Sequence, residues 1–309
     1  MNSKKWIIVW IFIPLSLTLL ILEVSYSVKK NNHRHNVDYI VNEQLENLRN
    51  EKYTTIILGD SLAVNSFTSL SMHDLILNLS SNAAISLAGN YFILKKYLSS
   101  NQMPKNVYLF LVPEILTNDL NNQHAHSYYQ TVFIEEEQIE EMNKIDSSIF
   151  KNKKNKIDKY IESRKNSFIN FNKYSLPIRH KNKDINEQDL KKDKDFRFSY
   201  IQNRIKKADK NLNQSIKLIP QVYLDKIISL CKFNNIKCTI AIEPLPQNLN
   251  RVFLDSKVYK HIKNLEINIL NINDYFTFKN EYFYDGVHIR GDINSYYQNL
   301  IDKHILDIY

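Results

Sequence analysis

Short apolar runs alternate with amphipathic stretches along most of the chain. Three runs rich in β-branched and aromatic residues have the length of buried strands: Tyr53–Leu58, Val107–Val112 and Lys237–Ile242. A Gly or Pro follows each of them within two residues and ends the strand. Ala83–Leu87 and Leu265–Ile272 are weaker strand candidates.

Stretches with helical character separate these strands. They are Asn36–Arg49, Tyr91–Leu98, Val222–Lys232 and Ile293–Ile308, the last with Asp292 as its N-cap. Strands that alternate with helices predict a parallel sheet with helices on both faces. We therefore expect an α/β protein.

The middle of the chain, from about residue 119 to 218, lacks a convincing strand pattern. It is rich in Lys and Asn, and Lys151–Lys165 holds seven basic residues against two acidic ones. We interpret it as a helical insertion with solvated faces. A lid or a docking surface is the functional alternative, because long insertions in α/β enzymes often cover a site.

The N-terminus has the pattern of a membrane anchor. Residues 6 to 22 carry no charge, and the uncharged stretch resumes after Glu23. About 20 apolar residues span a bilayer as a helix, which predicts a cytoplasmic tail and a transmembrane helix in residues 1–30. A cleaved signal peptide is the alternative, but its apolar region would be shorter and would end in a small-residue site. Residues 31–50 would form a membrane-proximal helix or linker, and residues 51–309 the main domain.

Composition and charge limit the kinds of binding partner that we expect. The 41 basic and 33 acidic residues give a net charge of +8, which favours an anionic polymer or membrane surface. No nucleic-acid-binding module accompanies this charge, so we expect no nucleic acid. A short tail before a large domain predicts that the domain lies outside the cytoplasm. Cys231 and Cys238 are interpreted as small buried residues, with pairing in an oxidising compartment as the alternative.

A serine follows the first strong strand in Gly59-Asp60-Ser61-Leu62. Ligand crevices of open α/β sheets lie at the carboxyl ends of the strands, where this serine would stand. A helix that begins near Ser61 would direct free N–H groups at the same space, where they could stabilise an oxyanion. The alternative is a purely structural role, in which Ser61 caps the helix of a strand–turn–helix unit.

An acid and an imidazole lie three residues apart near the C-terminus, in Asp285-Gly286-Val287-His288. His288 could accept the Ser61 proton as a general base, and Asp285 could orient the imidazole and stabilise its charged form. The bland alternative is a surface Asp-Gly turn beside a capping histidine. Each motif alone is weak, but their order and their neighbouring elements make the pair more specific.

Together these residues resemble the SGNH/GDSL hydrolase family. Gly59 to Leu62 match its first block, Asp285 to His288 match its last block, and the segment 82–90 resembles its second block. The resemblance implies a flavodoxin-like three-layer α/β/α sandwich, with an oxyanion held by N–H groups of Ser61 and Gly89, together with Asn90. It implies no metal and no cofactor. It covers about residues 50–120 and 220–309.

One block departs from the family. The third block normally carries an Asn directly after a central strand, but Val107–Val112 is followed by Pro113-Glu114-Ile115. Asn118 follows slightly late and is an alternative oxyanion donor. This departure and the anchor resemble the membrane-bound branches of the family that acylate cell-envelope polymers, of which DltD-like proteins are an example.

The sequence therefore predicts a single-pass protein of a bacterial-type cell membrane with an extracytoplasmic catalytic domain. It would be a serine esterase or an O-acyltransferase that acts on acyl esters of cell-envelope polysaccharide. A transferase would need a membrane acyl donor as its partner. The alternative is a catalytically degenerate module that binds or assembles an envelope polymer or a partner, which the altered third block favours.

Overall fold

The computed structural model describes residues 16–21, 23–24, 41, 44–48, 50–66, 75–81, 86–117, 136–147, 187–283, 288–289 and 297. The chain divides into two compact units, one of Met1–Ile40 with Phe150–Asp184 and the other of Val41–Ile149 with Ile185–Tyr309. In the first unit, residues 16–21 and 23–24 are helical and exposed. Within the described part of the chain, no helix combines the length and apolar character that crossing a membrane requires. The anchor stays a prediction, since most of residues 1–30 lie outside that part.

The second unit is built on a five-stranded sheet. Its strands are β1 (Thr55–Leu58), β2 (Ile76–Asn78), β3 (Asn106–Leu111), β4 (Lys237–Ile242) and β5 (Asn268–Asn271). The order is β2-β1-β3-β4-β5, and every neighbouring pair is parallel. Nearly all residues of β1, β3 and β4 are buried, so both faces of the central sheet are covered. The prediction of an α/β fold with a parallel sheet is confirmed.

Seven α-helices of the second unit lie wholly within the described residues. They are α1 (Ser61–Ser66), α2 (Ser86–Ser100), α3 (Glu136–Ile145), α4 (Glu187–Leu212), α5 (Leu218–Phe233), α6 (Gln247–Asp255) and α7 (Lys257–Lys263). Helices α2 and α5 pack on each other. At their contact the rings of Phe92 and Tyr223 meet edge to face, with centroids 5.5 Å apart. This geometry suits the charge distribution of aromatic rings, and it fixes α2 beside the sheet.

The second strand was predicted at the wrong place. Ser86 and Leu87, which end the strand candidate Ala83–Leu87, are the first two residues of α2. The strand that pairs with β1 is Ile76–Asn78, only three residues long. Such a short edge strand has no periodicity that a sequence pattern can reveal. The other four predicted strands each overlap an observed one.

The insertion is helical wherever it is described. Residues 136–147 and 187–217 hold α3 and α4 and no strand. Helix α4 packs on α6 and on the 3₁₀ helix Pro113–Thr117, which follows β3. The insertion therefore contacts the sheet's carboxyl edge through α4. Of the predicted closing helix 293–308, only Tyr297 lies within the described residues, and it is helical and buried.

The two cysteines are free and buried. A hydrogen bond with the Cys231 thiol, and then burial, raise the pKa of the Cys238 thiol. Both thiols therefore behave as small core groups, as the sequence analysis favoured.

Candidate active site

Three buried carboxyl groups and Ser61 lie at the carboxyl ends of β1, β3 and β4. In this strand order the connections reverse direction between β1 and β3, and ligand crevices of open α/β sheets form at such a reversal. Asp60 and Ser61 follow β1, Glu114 follows β3, and Glu243 directly follows β4. All three carboxyl side chains are buried.

The turn after β1 is held by close packing and one side-chain hydrogen bond. A Cβ atom at Gly59 would lie 2.8 Å from the Ala63 Cβ and 3.0 Å from the Phe110 Cβ, so only glycine fits. The Gly59 N–H donates to Oδ1 of Asn90 at 3.1 Å, and the Asn90 amide donates to the Ser86 carbonyl at 2.9 Å. Asn90 thus joins the end of β1 to the first turn of α2.

Asp60, not Ser61, caps the helix that follows. The Leu62 N–H donates to Asp60 Oδ1 at 2.8 Å, and the Val64 N–H donates to the Asp60 carbonyl at 3.1 Å. Ser61 is the first residue of α1 and is half-buried. Its hydroxyl makes no hydrogen bond with any residue in the described ranges. The interpretation of Ser61 as a cap is therefore wrong, and its hydroxyl is available for chemistry.

The buried carboxyl groups have unequal proton affinities. Burial raises the pKa of Asp60 to about 6, while the Leu62 N–H and the charge of His288 lower it and the charge of Glu114 raises it. Burial, and then the charge of Asp60, raise the pKa of Glu243 well above its ordinary value. Glu243 is fully buried, and its carboxyl oxygens have no hydrogen-bond partner among the described residues. Both side chains therefore hold their protons to higher pH than ordinary carboxyl groups do.

Glu114 is neutralised by a residue of the insertion. Arg204 Nη2, from α4, lies 2.5 Å from Glu114 Oε1, and the two side chains are 19% and 5% exposed. This ion pair occupies the position after β3 where the resembled family carries an Asn.

His288 lies near the β1 turn. An antiparallel bridge joins Phe283 to Ile289, the residue directly after His288. Phe283 and Ile289 pack in the same apolar cluster as Ala63, which lies in α1 two residues after Ser61. The charge of His288 also lowers the pKa of Asp60, the residue before Ser61. His288 and the turn at Asp60 and Ser61, more than two hundred residues apart in the chain, are thereby brought close together.

The remaining predicted site residues have different positions. Gly89 closes the first turn of α2 and is buried. In that turn the Ala88 N–H donates to Ser86 Oγ at 3.2 Å, and Ser86 has a positive φ of 52°. Asn90 has one amide hydrogen left after its bond to Ser86. Asp285 and Asn118 lie outside the described residues.

Several residues at this edge were not predicted from the sequence. The capping role of Asp60 follows a known N-cap preference and could have been recognised. Glu243 directly follows the apolar run Lys237–Ile242, and this position is the signal that could have identified it. Arg204 gave no signal, because it is one of many basic residues in the insertion. Within the described ranges, no group of three or more acidic, His or Cys side chains is arranged to hold a metal ion.

Comparison with known proteins adds no assignment. No protein-family model matches the chain, and no curated protein is significantly similar to it in sequence. The class that the structure itself defines is an α/β protein with a five-stranded parallel sheet and a polar carboxyl edge.

Proposed function

We propose that this protein is a membrane-anchored serine esterase or O-acyltransferase that acts on acyl esters of cell-envelope polysaccharide. Ser61 is the nucleophile, His288 the general base and then general acid, and Asp285 the group that orients His288. The fold would be a flavodoxin-like three-layer sandwich. The observation that carries the proposal is the convergence of the Ser61 turn and the His288 loop on one apolar cluster at the carboxyl edge.

The state of the Ser61 hydroxyl supports a nucleophilic role. Asp60 accepts from the Leu62 and Val64 N–H groups at the start of α1, so the Ser61 hydroxyl is not needed for capping. Gly59 permits close contact between the turn and β3, and Asn90 holds the turn in place. A nucleophile must be held in one position, because small displacements reduce the rate of attack strongly.

The chemistry follows from these positions. Ser61 Oγ attacks the acyl carbonyl carbon as His288 accepts the hydroxyl proton. The C–O bond to the leaving alcohol then breaks, and His288 returns the proton to that alcohol. Water or a sugar hydroxyl attacks the acyl-enzyme in the same way and releases Ser61. The oxyanion would be held by the Ser61 N–H and by the first turn of α2, which ends at Gly89, with Asn90 or Asn118 as a side-chain donor.

One observation favours a non-catalytic alternative. After β3 the chain carries Glu114, which is paired with Arg204, instead of an Asn. Loss of one oxyanion donor costs about 3–4 kcal/mol of transition-state stabilisation. A module that only binds an envelope polymer or a partner would tolerate this loss. A transferase would offset it in part by holding the acceptor hydroxyl next to the acyl-enzyme.

A fluorophosphonate probe tests the proposal on the full chain. We expect covalent labelling of the wild type, loss of labelling in Ser61→Ala, and strongly slowed labelling in His288→Ala. Ser99→Ala is the matched control, because Ser99 is an exposed serine of α2 whose hydroxyl bonds only within its own helix turn and to Ser100. No labelling of a folded wild type would contradict the enzyme proposal and support the binding module.

The effect of an acceptor on turnover distinguishes an esterase from an O-acyltransferase. If the protein is a transferase, it should hydrolyse a small acetyl ester slowly, and a polysaccharide acceptor should speed turnover of the acyl-enzyme and yield acylated sugar. Fast hydrolysis that the acceptor does not change would identify an esterase.

A further inference from the structure

The amino edge of the sheet, opposite the candidate active site, exposes both apolar and basic side chains. Three large apolar side chains there are exposed: Leu75 by 53%, Met103 by 50% and Phe233 by 85%. Each precedes a strand, since Leu75 adjoins β2, Met103 lies before β3 and Phe233 ends the helix before β4. We call these residues, with the lysines named next, the amino-edge surface.

Three exposed lysines accompany the apolar side chains. They are Lys52, Lys105 and Lys237, and none of them forms an ion pair with another described residue. Nearby, Lys232 is paired with Glu266 at 3.6 Å, and Glu51 is the exposed acidic neighbour of Lys52. The unpaired lysines therefore leave the surface positively charged.

Backbone hydrogen bonds place Leu75, Lys105 and Lys237 in one row across the amino edge. The Thr54 N–H donates to the Leu75 carbonyl, the Lys105 N–H donates to the Thr54 carbonyl, and the Lys237 N–H donates to the Lys105 carbonyl. Three strand spacings separate Leu75 from Lys237, or about 14 Å. Exposed apolar side chains that lie among lysines in this way have the composition of an interfacial membrane-binding surface.

Residues 50 and 51, which precede β1, also lie at this edge. The Asn50 N–H donates to the Ser100 carbonyl, and the Glu51 N–H donates to Asn101 Oδ1 at 3.2 Å. The predicted membrane span ends about twenty residues earlier in the sequence. A linker of this length would keep the domain close to the bilayer and raise the effective concentration of its surface there.

We propose that the amino-edge surface docks on the anionic lipid surface of the membrane, with Phe233 and Met103 at the headgroup boundary and the lysines on lipid phosphates. Ser61 then faces away from the bilayer, about five strand residues or roughly 17 Å above the docked edge. The tether argument rests on the membrane anchor of the proposed function, and the position of Ser61 rests on its proposed catalytic role. This position favours an acyl ester carried on a polymer outside the bilayer over one buried in lipid.

The test uses full-length protein in vesicles of equimolar phosphatidylcholine and phosphatidylglycerol. An environment-sensitive label is attached to Phe233→Cys, and quenching by headgroup-spin-labelled lipid is measured. Leu218→Cys is the matched control, because Leu218 is also a helix-terminal apolar residue, 54% exposed, at the opposite end of the same helix. The native Cys231 and Cys238 are buried and should not react in the folded protein.

We expect severalfold stronger lipid quenching at position 233 than at position 218. Combined Lys105→Glu and Lys237→Glu should reduce this quenching on anionic vesicles, and added salt should do the same in the parent. Equal quenching at both positions, stronger quenching at 218, or none at either would overturn the proposal. So would label protection that does not depend on lipid, which would indicate a second copy or another protein. The same quenching in a Ser61→Ala background separates docking from acyl chemistry.

Discussion

The N–H of Gly59 donates to Oδ1 of Asn90 at 3.1 Å, and this contact joins the turn before Ser61 to helix α2. Both groups are buried. The bond gives Asn90 a role in holding the nucleophile turn, in addition to any part that its remaining amide hydrogen takes in binding an oxyanion.

Replacement of Asn90 should show whether this residue positions the Ser61 turn or only stabilises the fold. Asn101, at the other end of α2, provides a matched control. Asn101 makes the same pair of bonds at the other end of α2: Oδ1 accepts the Glu51 N–H and the amide donates to the Tyr97 carbonyl. Asn90→Ala leaves the buried Gly59 N–H unsatisfied and should cost about 1–3 kcal/mol, whereas Asn101→Ala exposes the Glu51 N–H to water and should cost less. Denaturant unfolding measures the cost.

Only Asn90→Ala should also slow labelling of Ser61 by the fluorophosphonate, measured as a rate per folded molecule. If Asn101→Ala slowed labelling equally, the effect would be a general loss of stability and the positioning role would be refuted.

The close packing of Gly59 predicts a rescue. Gly59→Ala puts a Cβ atom 2.8 Å from the Ala63 Cβ and 3.1 Å from the Phe110 carbonyl oxygen, so the turn must move. Overpacking of this kind costs about 1–3 kcal/mol. Adding Ala63→Gly removes the closest contact and should recover part of the stability in thermal unfolding. A double variant less stable than the sum of the two single changes would contradict this account.

The raised pKa of Asp60 predicts a pH dependence of stability with a definite sign. The folded state binds this proton more tightly, because the pKa rises from 3.8 to about 6 on folding. The contribution of Asp60 to stability therefore falls as the pH is raised through that interval, by about 3 kcal/mol in total. Urea unfolding across this range measures it.

Asp60→Asn keeps an oxygen for the Leu62 N–H and should remove this part of the pH dependence. The quantity to compare is the difference between the wild type and the variant, because other carboxyl groups titrate in the same range. Asp255→Asn, at an exposed position, is the control and should leave the profile unchanged. A wild type that gains stability relative to Asp60→Asn with rising pH would show that the sign is wrong.

The Arg204–Glu114 ion pair should behave as a buried pair. Arg204→Met leaves the Glu114 carboxylate uncompensated and should destabilise the fold by about 3–5 kcal/mol. Adding Glu114→Gln removes the unpaired charge and should restore most of that loss. Lys232→Met is the control, since Lys232 and Glu266 are 59% and 93% exposed and such pairs contribute about 1 kcal/mol or less. Additive effects of Arg204→Met and Glu114→Gln in a double-mutant cycle would argue against the pair.

The sequence by itself determined the parts of this protein that depend on local pattern. The strands at Thr55–Leu58, Asn106–Leu111 and Lys237–Ile242 are largely apolar runs, and burial on both faces of a parallel sheet favours such runs. The order of strands and helices then determined that Ser61 would stand at the carboxyl edge. The motifs at Ser61 and His288 were visible as short strings, although their chemistry stays a proposal.

Tertiary structure alone decided which remote polar groups meet. Strand β2 is three residues long, and pairing with β1 defines it more than its own composition does. The contacts of Asn90 with Gly59 and of Arg204 with Glu114 join segments far apart in the chain, and many Asn and Lys/Arg residues could have filled either role. These contacts depend on burial, because a polar group excluded from water needs a specific partner. Only the packing of the sheet and helices determines which partner is within reach.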